Sequence, residues 1–182
     1  MSATPDLDET LARWRADEAA VRARLMPQVG VASPALLAGK TGLQQMQAML
    51  DGLAPRAPIG ETLDFMLISV ADGEAVFQGQ PQEKHYNPLG SVHGGWFATL
   101  LDSALGCAVH TTLPPGRAYT TLEFKVNLVR ALTAQVPLVR ATGRVVHRGR
   151  QVMTAEAELV GHDGRLYAHA STTCLLFDRR GD

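Results

Sequence analysis

Residues 87–109, NPLGSVHGGWFATLLDSALGCAV, decide the fold of this chain. Apolar side chains recur there in adjacent pairs every four residues: Trp96/Phe97, Leu100/Leu101, Ala104/Leu105 and Ala108/Val109. This period predicts one long helix that is buried along a wide stripe. Asp102 lies in the middle of the run. Because charged side chains are rarely buried without a partner, this aspartate is the first candidate for chemistry.

The segments on both sides of this helix have a period of two, which predicts strands. Residues 63–81 contain two such segments joined at Asp72-Gly73, a hairpin signal. Four more strand segments follow Pro114-Pro115-Gly116, in residues 120–129, 136–147, 151–161 and 165–177. The short turns require antiparallel pairing. The order therefore predicts an α+β fold, an antiparallel sheet wrapped around one long central helix.

The first of these four segments alternates apolar and polar residues. Its predicted buried face consists of Leu122, Phe124, Val126 and Leu128. Residues 1–58 differ in character, because their apolar residues repeat at helical spacing and Thr4-Pro5 predicts a helix start. We therefore divide the chain into a helical extension with a linker, residues 1–58, and a domain, residues 59–182. The extension is expected to serve packing rather than chemistry.

The composition and charge of the chain limit the functions that the protein can have. The chain has 182 residues, 46% of them hydrophobic, and a net charge of −1, so no basic field attracts nucleic acid. Cys107 and Cys174 lie in apolar segments and predict buried thiols in a reducing compartment. No signal peptide or membrane span is predicted, so we expect a cytoplasmic protein. The histidines lack zinc-type spacing, and we expect neither a metal nor another cofactor.

The motif NPLGSVHGGWFATLLDSALG, residues 87–106, resembles the PaaI-type acyl-CoA thioesterases of the hotdog superfamily. The resemblance extends over residues 59–177 and includes the later strand TTLEFKVNLVRAL, residues 120–132. It implies the hotdog fold and hydrolysis of an acyl-CoA to a carboxylic acid and coenzyme A. It also implies a homodimer with active sites shared between chains, with a dimer of dimers as the favoured assembly.

The resemblance further assigns roles to individual residues. Asp102 matches the catalytic acid, which activates water or attacks the thioester. The backbone N–H of Gly94 matches the donor that polarises the thioester carbonyl, and Asn87 matches a side chain that assists there. His93 matches a histidine that shapes the helix entry, and Thr121 matches a hydroxyl that positions the water.

The residue types suit this chemistry in their own right. A helix N-terminus offers free N–H groups and a positive dipole end, and glycine lets the substrate approach closely. Desolvation inside the apolar run should raise the pKa of Asp102 and make it a better base. Gly94 and Asp102 are eight residues apart, or about 12 Å along one helix. If both act on one carbonyl, they must belong to different chains.

Arg148 and Arg150 lie in the turn VVHRGRQ, near the other basic residues Arg144, His147 and Lys125. Two interpretations stay open for this turn, a solvated hairpin or contact with the phosphates of coenzyme A. With Gly95 at the helix entry, Arg148 and Arg150 are the predicted substrate-binding residues.

Two other functions remain open. The first is a non-catalytic acyl-CoA-binding regulator, and the second is a hotdog dehydratase or hydratase that acts on acyl thioesters. A dehydratase needs a paired histidine and acid in a motif that the sequence lacks. Cys107 and His110, three residues apart, could form a nucleophilic pair, but a core cysteine beside a helix-end histidine is the favoured interpretation.

Overall fold

The computed structural model describes residues 7–179, which form five α-helices and six β-strands. The helices are α1 (Leu7–Arg22), α2 (Pro34–Leu37), α3 (Gly42–Leu50), α4 (Pro58–Leu63) and α5 (Gly94–Thr111). The strands are β1 (Phe65–Ala71), β2 (Glu74–Gly79), β3 (Arg117–Leu128), β4 (Val139–Arg148), β5 (Val152–Gly161) and β6 (Leu166–Asp178). Thr4 and Pro5, the predicted helix start, lie outside the described residues. None of the helices within residues 7–179 has the length and hydrophobicity to cross a bilayer.

The six strands form one antiparallel sheet in the order β1-β2-β4-β5-β6-β3. The predicted hairpin at Asp72-Gly73 joins β1 to β2, and Gly73 adopts a φ of +84° in the turn. Strand β3 pairs with β6 instead of with β4, its successor in the chain, and therefore lies at one edge of the sheet. The sheet packs around α5, which confirms the predicted hotdog architecture.

The apolar stripe of α5 forms the centre of the core. All eight predicted stripe residues are buried, namely Trp96, Phe97, Leu100, Leu101, Ala104, Leu105, Ala108 and Val109. They pack against inward-facing residues of the sheet that include Ala141, Ala157 and Ala168. The helical period therefore predicted both the helix and its contact face correctly.

The predicted buried face of β3 is wrong for the single chain. Leu122, Phe124 and Leu128 are 57%, 39% and 53% exposed, and Val126 alone packs half-buried against the core. The reason is the place of β3 at the sheet edge, together with a bulge between Thr121 and Glu123 that interrupts the alternation. A twelve-residue edge strand with exposed apolar side chains is a surface that proteins usually cover.

Helix α1 is attached to the sheet through a polar cluster. The Arg140 guanidinium lies 4.6 Å from the ring centre of Trp14 and forms a 2.8 Å ion pair with Asp17. Arg140 Nε donates to Gln78 Oε1 at 2.8 Å, and Gln78 Nε2 donates to Glu18 at 2.7 Å. These part-buried, charge-assisted contacts join α1 to strands β2 and β4.

Helix α3 is attached to the C-terminal end of α5. The Gly42 N–H donates to the Leu113 carbonyl at 2.8 Å, and a Cβ atom at Gly42 would collide with the His110 carbonyl oxygen. The Gln45 side chain and His110 Nε2 form a 3.0 Å hydrogen bond. Only glycine, which has no Cβ atom, allows so close a contact, and α3 therefore packs tightly against the end of α5.

Candidate active site

A cavity of about 320 Å³ lies between α5, β3 and the extension. Asp102, Ser103 and Cys107 line it from α5, and Tyr119 and Thr121 line it from β3. The rest of its wall comes from Gly106 of α5, the extension, α4, β1 and β2. The structure therefore brings Asp102 and Thr121, two residues that the motif singled out, to one cavity.

The Asp102 carboxylate is left without a polar contact by the described part of the single chain. Its carboxylate has no hydrogen-bond or ion-pair partner among residues 7–179. The residue is exposed, yet the protein atoms around the carboxylate partly desolvate it, and this desolvation raises the pKa of Asp102 above its usual value. The apolar sequence around Asp102 predicted this increase in its pKa. A carboxylate with free lone pairs and increased basicity can accept a proton from water.

The thiol beside Asp102 is unsuited to nucleophilic attack. Burial, together with the negative charge of Asp102, raises the pKa of Cys107 to about 12. The thiol therefore stays protonated at neutral pH, and only a thiolate is strongly nucleophilic. His110, the other half of the pair considered above, is hydrogen-bonded to Gln45. Thr121 lies directly opposite Cys174 in the pairing of β3 with β6.

The helix entry carries a free backbone donor. His93 is the N-cap of α5, and its Nδ1 accepts a 2.9 Å hydrogen bond from the Gly95 N–H, so the proton of the neutral ring is on Nε2. The Gly94 N–H has no acceptor among the described residues. It lies at the positive end of α5, where an oxyanion would be stabilised. Gly94 is thus the first-turn donor that the protein leaves available.

Asn87 builds the loop before α5. Its Oδ1 accepts hydrogen bonds from the N–H groups of Leu89, at 2.9 Å, and Ser91, at 3.4 Å. Its Nδ2 donates to Ser91 Oγ at 3.2 Å, and its backbone N–H donates to the Ser91 carbonyl at 2.7 Å. In the single chain Asn87 therefore forms the turn that leads to the helix entry. Its assistance at a substrate carbonyl stays a prediction.

Gly94 and Asp102 do not share a site within one chain. Helix α5 is continuous from Gly94 to Thr111, so the two residues are about 12 Å apart along its axis. Asp102 lines the cavity, whereas Gly94 is not among its lining residues. The cavity of a single chain therefore has the Asp102 carboxylate and no helix-entry donor.

The predicted phosphate-binding arginines lie at the other end of α5. Arg148 forms a 2.8 Å ion pair with Asp72 in the β1–β2 turn. That turn is held at the end of α5, because the Gly73 N–H donates to Thr111 Oγ1 at 2.8 Å. Arg150 is exposed in the β4–β5 turn. Within one chain the structure does not bring these arginines to Gly94 and Gly95.

The extension supplies a part of the cavity wall that the sequence did not predict. Met46, Met49 and Leu50 of α3 line it, as does Arg56. Arg56 forms a 3.0 Å ion pair with Glu61, while its Nε is buried without an acceptor among residues 7–179. Helical periodicity indicates an apolar face but does not distinguish a pocket wall from a core contact, so no local signal could have identified these residues.

Comparisons with known proteins concern the family and the fold of the chain. A sequence model of the thioesterase superfamily matches residues 89–168. The 1,4-dihydroxy-2-naphthoyl-CoA hydrolase of Listeria monocytogenes is 27% identical over 120 residues, which are 66% of this chain and 96% of the relative. A thioesterase-like, phenylacetic acid degradation-related protein from Ralstonia eutropha JMP134 is 31% identical, with a TM-score of 0.65 over 71% of this chain and 97% of that chain. The E. coli PaaI protein, 23% identical, shares the fold, with a TM-score of 0.64 over 77% of this chain and 94% of that chain.

Proposed function

The chain belongs to the thioesterase superfamily and is a thioester hydrolase of the hotdog fold; we propose that its substrate is an acyl-CoA and that Asp102 is its catalytic carboxylate. One observation carries the proposal. The Asp102 carboxylate is partly desolvated, has no partner among residues 7–179 and lines a largely apolar cavity of about 320 Å³. That volume is in the range of small-molecule sites. It suits an acyl group, with coenzyme A lying outside.

In the proposed reaction Asp102 removes a proton from water while the oxygen attacks the thioester carbonyl carbon. The carbonyl oxygen becomes an oxyanion that accepts a hydrogen bond from the Gly94 N–H. Collapse of this intermediate breaks the C–S bond, and the leaving thiolate takes the proton from Asp102. The products are a carboxylic acid and coenzyme A. Direct attack by Asp102 on the carbonyl, followed by hydrolysis of the anhydride, is the second route, and Thr121 would position the water in either.

We propose further that the site is completed by a second copy of the chain. The cavity that contains Asp102 lacks Gly94, so the donor would be Gly94 of the partner subunit. Strand β3 offers the surface for this contact, because Leu122 and Phe124 are exposed on an edge strand that also carries Thr121. A homodimer with two shared sites results. We extend it to a dimer of dimers on the family resemblance alone.

The remaining assignments concern coenzyme A and the helix entry. We propose that Arg148, Arg150 and Gly95 contact coenzyme A, and that His93 keeps the entry of α5 in shape through its bond to the Gly95 N–H. Arg148 would have to release or share its ion pair with Asp72 to do so. We place the enzyme in the cytoplasm, because both cysteines are free thiols.

Release of free coenzyme A thiol tests the proposed function. The full-length protein is incubated with acetyl-, octanoyl-, phenylacetyl- and hydroxynaphthoyl-CoA, and thiol and carboxylic acid are both quantified. We expect one thiol and one acid per substrate consumed. A dehydratase or hydratase would alter the acyl chain without thiol release, and a regulator would bind without turnover. Either of those results would contradict the proposal.

The pH profile provides a second prediction. Asp102 must be ionised to act as base or nucleophile, so kcat should fall as the pH drops through its pKa. Because desolvation raises that pKa, the acid limb should lie at higher pH than for an ordinary aspartate. The profile of kcat from pH 4 to 9 measures it. An acid limb at or below the usual aspartate value would contradict the assignment.

A further inference from the structure

His85 is a buried histidine that the proposed reaction does not use. Its side chain is 3% exposed, and it ends the single 3₁₀ turn Glu83–His85 ahead of Asn87. Its Nδ1 accepts a 3.2 Å hydrogen bond from the Gln82 N–H, so the proton of the neutral ring is on Nε2. Burial lowers the pKa of His85, which keeps the ring neutral at pH 7. A buried imidazole with a fixed proton position can orient the groups around it.

We propose that His85 is a positioning residue for the hydrolysis: oriented by Asp64, it holds the entry of α5, residues 93–96, so that the Gly94 N–H meets the thioester carbonyl. The inference rests on the proposed function, because Gly94 is an oxyanion donor only if the protein hydrolyses a thioester. His85 does not touch the substrate in this proposal. It acts on the residues that flank Gly94, through its carbonyl oxygen on one side and its ring on the other.

The contacts of His85 reach both sides of Gly94. The His93 N–H, directly before Gly94, donates to the His85 carbonyl at 2.8 Å. The imidazole of His85 stacks on the indole of Trp96, two residues after Gly94, with ring centres 5.2 Å apart and ring planes at 24°. The Trp96 N–H donates in turn to the His93 carbonyl at 2.9 Å. Because one histidine holds the chain on both sides of Gly94, a displacement of His85 would move the donor.

Trp96 is itself held against α4 and the sheet. Its Nε1 donates to the Leu63 carbonyl at 2.8 Å, and the residue is 3% exposed. The indole lies so close to β2 that a Cβ atom at Gly79 would approach it to 2.9 Å. The stacked rings therefore connect the entry of α5 to a packed part of the fold. Such support is what a preorganised hydrogen-bond donor requires.

Asp64 orients the imidazole from the end of α4. Its Oδ2 lies 3.2 Å from His85 Nε2, the atom that carries the proton, and it also pairs with Lys84. The contact with His85 is electrostatic, since neither atom has a well-aligned hydrogen-bond partner among the described residues. Asp64 has a φ of +53°, and it is the only non-glycine residue within residues 7–179 with a positive φ. Such a backbone persists where the surrounding structure requires it, here with the carboxylate beside the ring.

Removal of the ring nitrogens tests the proposal. His85→Phe retains a ring that can stack on Trp96 and loses the contacts with Gln82 and Asp64. We expect kcat for thiol release to fall about tenfold, because a small displacement of an oxyanion donor is costly. The affinity for a non-hydrolysable S-alkyl-CoA thioether should change by less than about twofold, since His85 does not line the cavity. An unchanged kcat in folded His85→Phe would overturn the proposal, as would a loss confined to thioether affinity.

Tyr86→Phe is the matched control in the same loop. It removes the 2.8 Å hydrogen bond from the Ala134 N–H to the Tyr86 hydroxyl and leaves the contacts of α5 in place. We expect kcat to stay within about twofold of the wild-type value, because loss of one hydrogen bond away from the donor does not move it. A loss as large as that of His85→Phe would show that any damage to the loop lowers kcat, and it would contradict a specific role of His85.

A double-mutant cycle shows whether His85 acts through Gly94. In Gly94→Pro the proposed donor is already absent. His85→Phe should therefore lower kcat about tenfold in the wild type but by less than about twofold in the Gly94→Pro background. A histidine that only stabilises the fold would lower kcat by the same factor in both backgrounds. Equal factors would thus disprove the positioning role.

Asp64→Gly provides a second variant in case His85→Phe does not fold. Glycine suits the left-handed backbone at the end of α4, and the substitution removes the carboxylate that faces the ring. We expect kcat to fall about three- to tenfold, again with little further loss in the Gly94→Pro background. An unchanged kcat in Asp64→Gly would contradict the proposal.

Amide hydrogen exchange separates this inference from the proposed function, because it needs no substrate. His85→Phe should accelerate exchange of the His93 and Trp96 amides about tenfold and leave the amides around Leu101, in the middle of α5, unchanged. If the wild type releases no thiol but these two amides exchange faster in His85→Phe, the hydrolase proposal fails while His85 still holds the entry of α5. If thiol is released and both exchange and kcat are unchanged in His85→Phe, the positioning proposal fails alone.

Discussion

Replacement of Asp102 by asparagine is expected to lower kcat by about 10²–10⁴-fold, the usual scale for loss of general base catalysis. Asparagine has nearly the same size and polarity but can neither accept the proton from water nor attack the carbonyl. Acyl-CoA binding should persist, because the cavity wall is otherwise unchanged. Thiol release under saturating substrate measures kcat, and equilibrium binding of a thioether analogue checks that the cavity is intact.

The variant should fold at least as well as the wild type. A pKa that is raised in the folded state means that folding disfavours the ionised carboxylate, so stability falls as the pH rises through that range and a neutral amide avoids the loss. Thermal unfolding at pH 7 checks this point. Cys107→Ala is the matched control, since the thiol lines the same cavity and is protonated. Near-normal turnover in folded Asp102→Asn, or a comparable loss in Cys107→Ala, would exclude Asp102 as the catalytic group.

Two inactive variants are expected to restore activity when they form mixed dimers. Gly94→Pro removes the proposed oxyanion donor, which should cost about 10²–10³-fold in kcat. Proline fits this place, because Gly94 is the first residue of α5 and the preceding residue, His93, has a ψ of 138°. Asp102→Ala removes the base. Each variant alone should be nearly inactive.

Refolding the two variants together makes roughly half of the dimers mixed by random pairing. In a mixed dimer one site takes Asp102 from the first chain and Gly94 from the second, and it is intact, while the other site has lost both groups. Activity should return to roughly a quarter of the wild-type value, within the limits of additivity for groups that act together. Mass spectrometry confirms that mixed dimers are present.

Gly94→Ala is the control for this experiment. It introduces the same Cβ atom, which must displace the Leu128 side chain, but it retains the backbone N–H. Gly94→Ala should therefore keep far more activity than Gly94→Pro. If the site lay within one chain, every site in the mixture would carry one lesion. Confirmed mixed dimers without recovered activity would therefore disprove the shared site.

The sequence by itself determined those elements that depend only on residues close together in the chain. The stripe from Trp96 to Val109 predicted α5 and its buried face, because burial of one helix side imposes a period that neighbouring residues display directly. Asp72-Gly73 predicted the first hairpin, because a tight turn needs particular residues at particular positions. The His-Gly-Gly entry predicted a free first-turn donor, which is a property of every helix start.

Only the tertiary structure decided the features that depend on residues far apart in the chain. The pairing of β3 with β6 left Leu122 and Phe124 exposed at an edge, although their alternation is that of a half-buried strand. Met49 became a cavity wall because α3 packs on the end of α5, more than fifty residues later in the sequence. Periodicity indicates which side of an element is apolar, but only the fold determines which residues pack against that side.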